Sequence, residues 1–170
     1  MNHFELLGIE PNFIIDKNQL RKQYYAISRE YHPDMHGLKG GDAQLTYIQK
    51  SSEINHAFRV LMDDQERMRY LLEICGIEFA EGNEAVPQDF LMEIMDINEM
   101  IMDYQMEGSE ELKEDIFKQL SDLKSNLLNN IDGILKSFEY QKADKKQLEL
   151  IKDYYLKSKY LKRIELNLEN

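Results

Sequence analysis

The sequence predicts an all-α protein: a helical hairpin with short flanking helices, followed by a three-helix bundle. Three observations predict it. Apolar residues recur at steps of three and four over long stretches, as along Ile116, Leu120, Leu123, Leu127, Ile131, Ile134 and Phe138. All three prolines and most of the glycines stand outside those stretches, where they punctuate loops. No segment reads convincingly as a strand, and there is neither an internal repeat nor a low-complexity tract.

Taken in order, a short helix fits residues 3–8. Asp16 offers an N-cap with Gln19 three residues later, a capping-box pattern. The helix it opens runs to about Tyr31 and stops there, because Pro33 disfavours helical geometry at His32 and has no amide donor. A polar, glycine-containing loop spans 34–41. Asp42 caps a third helix to about Leu61, and Asp63 or Asp64 caps a short fourth one ending near Gly76. Gly76, Gly82, Asn83 and Pro87 then break the periodicity. The expected organisation is a first domain over 1–76, a linker over 77–87 and a second domain over 88–170. The second domain has helices at about 88–107, 109–139 and 144–168. Ser109, followed by Glu110 and Glu111, makes a good helix start because carboxylates in the first turn complement the helix dipole.

Composition removes several classes of function. The net charge of -11 argues against a general nucleic-acid binder, which needs basic surface. No apolar run approaches the ~20 residues of a membrane-spanning helix. Cys75 is the only cysteine, so an intramolecular disulfide is impossible and a thiolate zinc site lacks ligands. With no signal pattern at the start, the expectation is an unprocessed cytoplasmic chain. The charge is uneven: residues 76–116 carry thirteen acids and one basic residue, Lys113, while both flanks are nearer balance. Such a block either solubilises the protein or selects a basic partner.

Two helices carry candidate sites. On the second, Leu20, Tyr24, Ile27 and Tyr31 share a narrow arc, the expected buried stripe. The opposite arc holds Asn18, Arg21, Lys22, Tyr25, Ser28 and Arg29. Alone, such a stripe is usually a solvated face. Here it runs directly into His32-Pro33-Asp34. Pro33 stiffens the exit, so the Asp34 carboxylate has little freedom to lose on binding and is a good acceptor for an arginine of another protein. His32 orients that carboxylate or meets the partner itself. Catalysis fits poorly, since no nucleophile, second carboxylate or metal-ligand spacing accompanies the tripeptide.

On the helix at 88–107, Phe90, Ile94, Ile97, Ile101 and Tyr104 share one arc. Leu91, Met92, Met95, Met102 and Met106 fall on another side, among Asp96, Glu99 and Asp103. The second apolar face is either gap-filling methionine against a neighbour or an exposed protein-binding surface rimmed by carboxylates. The pattern leaves the two evenly matched.

The run Tyr31-His32-Pro33-Asp34, the basic helix before it and Ile54-Asn55-His56-Ala57-Phe58 resemble a J-domain. Members of that family stimulate ATP hydrolysis by a DnaK-class chaperone. The resemblance implies chaperone contacts from the loop His32, Pro33 and Asp34 and from Arg21, Lys22 and Arg29. Met35 departs from the basic residue common at its position.

Three further stretches narrow the resemblance to the HscB family: Asn2-His3-Phe4-Glu5-Leu6-Leu7-Gly8, Arg67 to Gly76, and Phe90-Leu91-Met92-Glu93. Members deliver the iron–sulfur scaffold protein IscU to the dedicated chaperone HscA or to a related DnaK-class chaperone. The absence of cysteine pairs ahead of the J-domain is similar to the bacterial form. The resemblance implies client contacts at Leu91, Met92, Met95, Asp96, Glu99 and Asp103, the last a shortened version of a common glutamate. It adds Tyr160, which composition alone reads as a core tyrosine. It implies no enzymatic activity, cofactor, nucleic acid or membrane. Two alternatives stay open: a J-domain protein with another client, and a metal-delivery protein using His3, His32, His36 or His56. A purely structural helical adaptor is a third.

Overall fold

The computed structural model describes residues 1–32, 42–80 and 85–169. Every regular element among them is helical: α1 (His3–Leu6), α2 (Lys17–Glu30), α3 (Asp42–Met62), α4 (Asp64–Ile74), α5 (Gln88–Glu93), α6 (Met95–Glu107), α7 (Glu110–Lys136) and α8 (Lys145–Glu169), with a 3-10 turn at Tyr140–Lys142. The chain divides into two compact units: Met1–Ile74 with Phe138–Gln141, and Cys75–Ser137 with Lys142–Asn170.

In the first unit the helix starts follow local chemistry. Asn2 and Glu5 close a reciprocal capping box on α1, their side chains accepting from each other's backbone amides at 2.9 and 3.1 Å. This helix is shorter than the expected 3–8 because Gly8 takes a left-handed φ of 62°. The Asp16 carboxylate accepts from the amides of Asn18 and Gln19 at 2.8 and 3.2 Å, capping α2. Asp63 does the same for α4, accepting from Gln65 and Glu66, both at 2.9 Å. α3 starts at Asp42, whose side chain lies outside the described residues.

α2 and α3 form an antiparallel pair. Tyr24 stacks on Phe58 with ring centroids 4.0 Å apart, and its hydroxyl donates to the Asn55 Oδ1 at 2.8 Å. A turn or two later along α2, Tyr31 faces Tyr47, earlier on α3. α1 and α4 both pack on α3. Phe4, Leu7, Leu20, Ile54, Leu61, Leu71 and Leu72 are fully buried and supply the apolar burial that holds the short helices.

One charged side chain is built into this interior. Arg67, only 4% exposed, donates from Nε to the Phe13 carbonyl at 3.1 Å. Its Nη1 donates to the Leu61 carbonyl and its Nη2 to the Asp64 Oδ1, both at 2.6 Å. Lys17 Nζ also reaches Asp64 Oδ1, at 2.8 Å. Burial pushes the Asp64 carboxyl up, but hydrogen bonds and charge from Lys17 and Arg67 outweigh it and hold the group below its usual value. Arg67→Met should therefore cost about 3 kcal/mol in urea denaturation, because it leaves two carbonyls without their donor. A folded-state value held below the ordinary 3.8 contributes stability above that pH and loses it as the pH falls through the folded value. The gap between wild type and variant should thus narrow in strong acid.

In the second unit α5 packs on α6, α6 on α7 and α7 on α8. Phe90, Ile94, Ile97, Ile116, Leu120, Leu161 and Leu168 form its core cluster. Gly108, left-handed at φ 66°, ends α6, and the Ser109 hydroxyl accepts from the Leu112 amide to start α7. The expected single helix over 88–107 is two helices. Ile94 sits between them at φ −95°, ψ 6°, away from helical angles, with its side chain completely buried. No proline or glycine marks this break; packing of Ile94 into the core holds it. Phe138, expected to end the α7 seam, stands beyond the helix, and its ring meets Phe13 edge-on at 4.6 Å. Leu135 is buried in its place near the end of α7.

Candidate functional site

The first candidate surface lies on α2. The Asp16 cap and the Leu20 anchor set its rotation, which turns Arg21, Lys22 and Arg29 to solvent. Arg21 Nη1 donates to the Asn18 Oδ1 at 3.0 Å. Arg29 lies in the last turn, where a cation complements the carbonyl end of the helix dipole. Tyr25 stands on the same side, 60% exposed. Tyr25 lies on this arc in the sequence pattern too, where an aromatic between cations is the signal that marks it. Ser28, expected on the outer arc, instead has a buried hydroxyl. His32 is exposed at the helix exit; Pro33, Asp34 and Met35 lie outside the described residues.

The second candidate surface lies on α5 and α6. Burial of Phe90, Ile94 and Ile97 commits one face of these helices to the core. The other face is left to solvent: Leu91 is 41% exposed, Met92 73% and Met95 62%. Asp96, Glu99 and Asp103 are exposed alongside. Met102 and Met106 carry the apolar row on toward the C-terminal end of α6. The sequence places both on the second face, beyond the residues that the resemblance marks for client contact. Tyr160 divides between the two readings. It is half-buried and packs on the core cluster, with its ring edge-on to Phe90 at 6.2 Å and the Arg163 guanidinium 5.1 Å from its centroid.

Other titratable groups do not gather into a site. Among the described residues no cluster of three or more His, Cys, Asp or Glu could hold a metal ion. His3 stacks on Tyr70 and meets His56 edge-on; burial, then the His56 charge, lower its pKa. His36 lies outside the described residues. No described helix is long and apolar enough to cross a membrane.

The first unit carries a hairpin with a basic helix and the second an exposed acid- and methionine-rich helical face; among the described residues no metal-binding cluster accompanies them. Residues 2–70 match the family model of the DnaJ domain. The chain thus contains a J-domain. Residues 86–169 match the model of the HSCB C-terminal oligomerisation domain. The co-chaperone protein HscB homolog of Haemophilus ducreyi is 31% identical over 145 residues, 84% of each chain. The HscB homolog of Vibrio vulnificus is 38% identical over 101 residues, 58% of each chain. Among solved structures, human HscB shares the fold with a TM-score of 0.80 at 24% identity, over 99% of this chain and 81% of that one. HscB from Vibrio cholerae has a TM-score of 0.69 at 26% identity over 99% of both. The chain belongs to the HscB co-chaperone family.

Proposed function

We propose that this co-chaperone binds the iron–sulfur scaffold protein IscU through α5–α6 and presents it to a DnaK-class chaperone of the HscA type, in the cytoplasm. Leu91, Met92 and Met95 supply adaptable apolar contact, and Asp96, Glu99 and Asp103 select a basic surface. Tyr160 lies at the edge of the contact. His32, Pro33 and Asp34, with Arg21, Lys22 and Arg29, meet the chaperone.

The observation that carries this reading is the solvent-facing Leu/Met row with its carboxylates, on helices whose other face is core, in a chain that also holds a J-domain. Monomeric proteins rarely leave such a row uncovered without a partner for it. Holding client and chaperone on one chain raises the client's effective concentration at the chaperone. Coupling to ATP hydrolysis follows if the loop binds one chaperone state more tightly than the other.

The test is the steady-state ATPase rate of an HscA-type chaperone with the full chain, with and without IscU. Stimulation by the chain alone, increased further by IscU, is the expected result. No stimulation would overturn the chaperone role. Stimulation that IscU does not increase, with no IscU captured in a pulldown, would replace the client.

A further inference from the structure

We propose that the exposed methionine row of α5 and α6 is an oxidation site, at which a peroxide-class oxidant reversibly switches off scaffold docking. This rests on the client reading above and adds regulation to that surface. Met92, Met95, Met102 and Met106 are 73, 62, 64 and 80% exposed. On α6, Met95, Met102 and Met106 fall within about 40° of one another at ~100° per residue, so an oxidant approaching that side meets them all.

Among the described methionines of the helical units, exposure sets this row apart. Met62, Met68 and Met100 are half-buried, and the Met100 thioether accepts a hydrogen bond from the Gln119 amide at 3.1 Å. Met1 is exposed as well, but it belongs to the other unit. The one thiol competes poorly: Cys75 is half-buried, and burial pushes its pKa up to about 11, which leaves little thiolate at neutral pH.

The chemistry is a two-electron oxygen transfer. A thioether lone pair attacks one oxygen of hydrogen peroxide, and the S–O bond forms as the O–O bond breaks. The departing hydroxide takes the proton from the sulfur-bound oxygen and leaves as water. A dithiol-dependent sulfoxide reductase reverses the change, the two thiols becoming a disulfide and the oxygen leaving as water. Oxidation turns an apolar, pliable side chain into a polar one with a strong acceptor. The neighbouring side-chain oxygens of Asp96, Glu99 and Asp103 are hydrogen-bond acceptors, as the sulfoxide oxygen is. Carried into a partner's apolar surface, the sulfoxide oxygen loses hydration that a thioether never had to shed.

The test treats the full chain with graded hydrogen peroxide. Peptide mass spectrometry should find one added oxygen on Met92, Met95, Met102 and Met106 before Met62, Met68 or Met100. Titration calorimetry should find IscU bound about tenfold or more weakly. Stimulation of the chaperone without scaffold should persist, and methionine sulfoxide reductases should restore scaffold binding. The Cys75→Ser variant should respond to peroxide as the wild type does. Unchanged scaffold affinity after oxidation, earlier oxidation of the half-buried methionines, or an insensitive Cys75→Ser variant would each overturn the switch alone. Untreated protein that fails to bind IscU would overturn the client reading, and the switch with it.

Discussion

Asp34→Asn is expected to abolish stimulation of the partner chaperone's ATPase while scaffold binding and the thermal midpoint stay unchanged. The substitution keeps size and removes charge. A carboxylate paired with a guanidinium is worth about 1.5–3 kcal/mol more than no bond, roughly ten- to a hundredfold in the bound population. A proline ring restricts its own φ to about −65°, which lowers the conformational entropy such a segment has to lose on binding. On the proposed reading, the cationic face of α2 adds long-range attraction. Raising the ionic strength should weaken the contact of Arg21, Lys22 and Arg29 far more than it alters the Asp34 effect. A steady-state assay in which Asp34→Asn stimulates as well as wild type would remove the loop from the mechanism.

Met92→Ala combined with Met95→Ala should weaken scaffold binding by about 2–4 kcal/mol, since truncated apolar anchors at the centre of an interface commonly cost that much. Stability should barely move. At 73 and 62% exposure these side chains bury little surface in the free chain, so removing their methylenes opens no cavity. A fall of many degrees in thermal midpoint would mean that they support the fold, and the surface would then need another explanation. Phe90→Ala is the informative contrast: the ring is fully buried in the core cluster, so its loss should destabilise the unit itself.

Much of the fold was legible because helix ends depend on neighbours only a few residues away. Asp16 before Lys17, Asp63 before Asp64, and Ser109 before Glu110 each announce a helix through an oxygen that accepts an orphan amide. The row from Ile116 to Ile131 announced a buried seam for the same local reason, the fixed angle per residue. The break at Ile94 was not legible. No residue in 88–107 disfavours helix strongly enough to predict it, and it exists because a buried isoleucine fits the core at non-helical angles. Nothing local marks Arg67 for burial, which depends on the Phe13 and Leu61 carbonyls, each brought to it by the fold.

The second face of the α5–α6 segment separates the two kinds of information. Periodicity predicts a second apolar side at Leu91, Met92 and Met95, apart from Phe90, Ile94 and Ile97, because side-chain direction on a helix is a matter of angle and rise. Whether anything covers that second face is a question about where distant segments pack. The pairing of α6 with α7 and of α7 with α8 answers it by sealing one side and leaving the methionines in water. Local hydrogen bonding and helical geometry act over a few residues and can be read in order along the chain, whereas burial is a cooperative property of the folded whole.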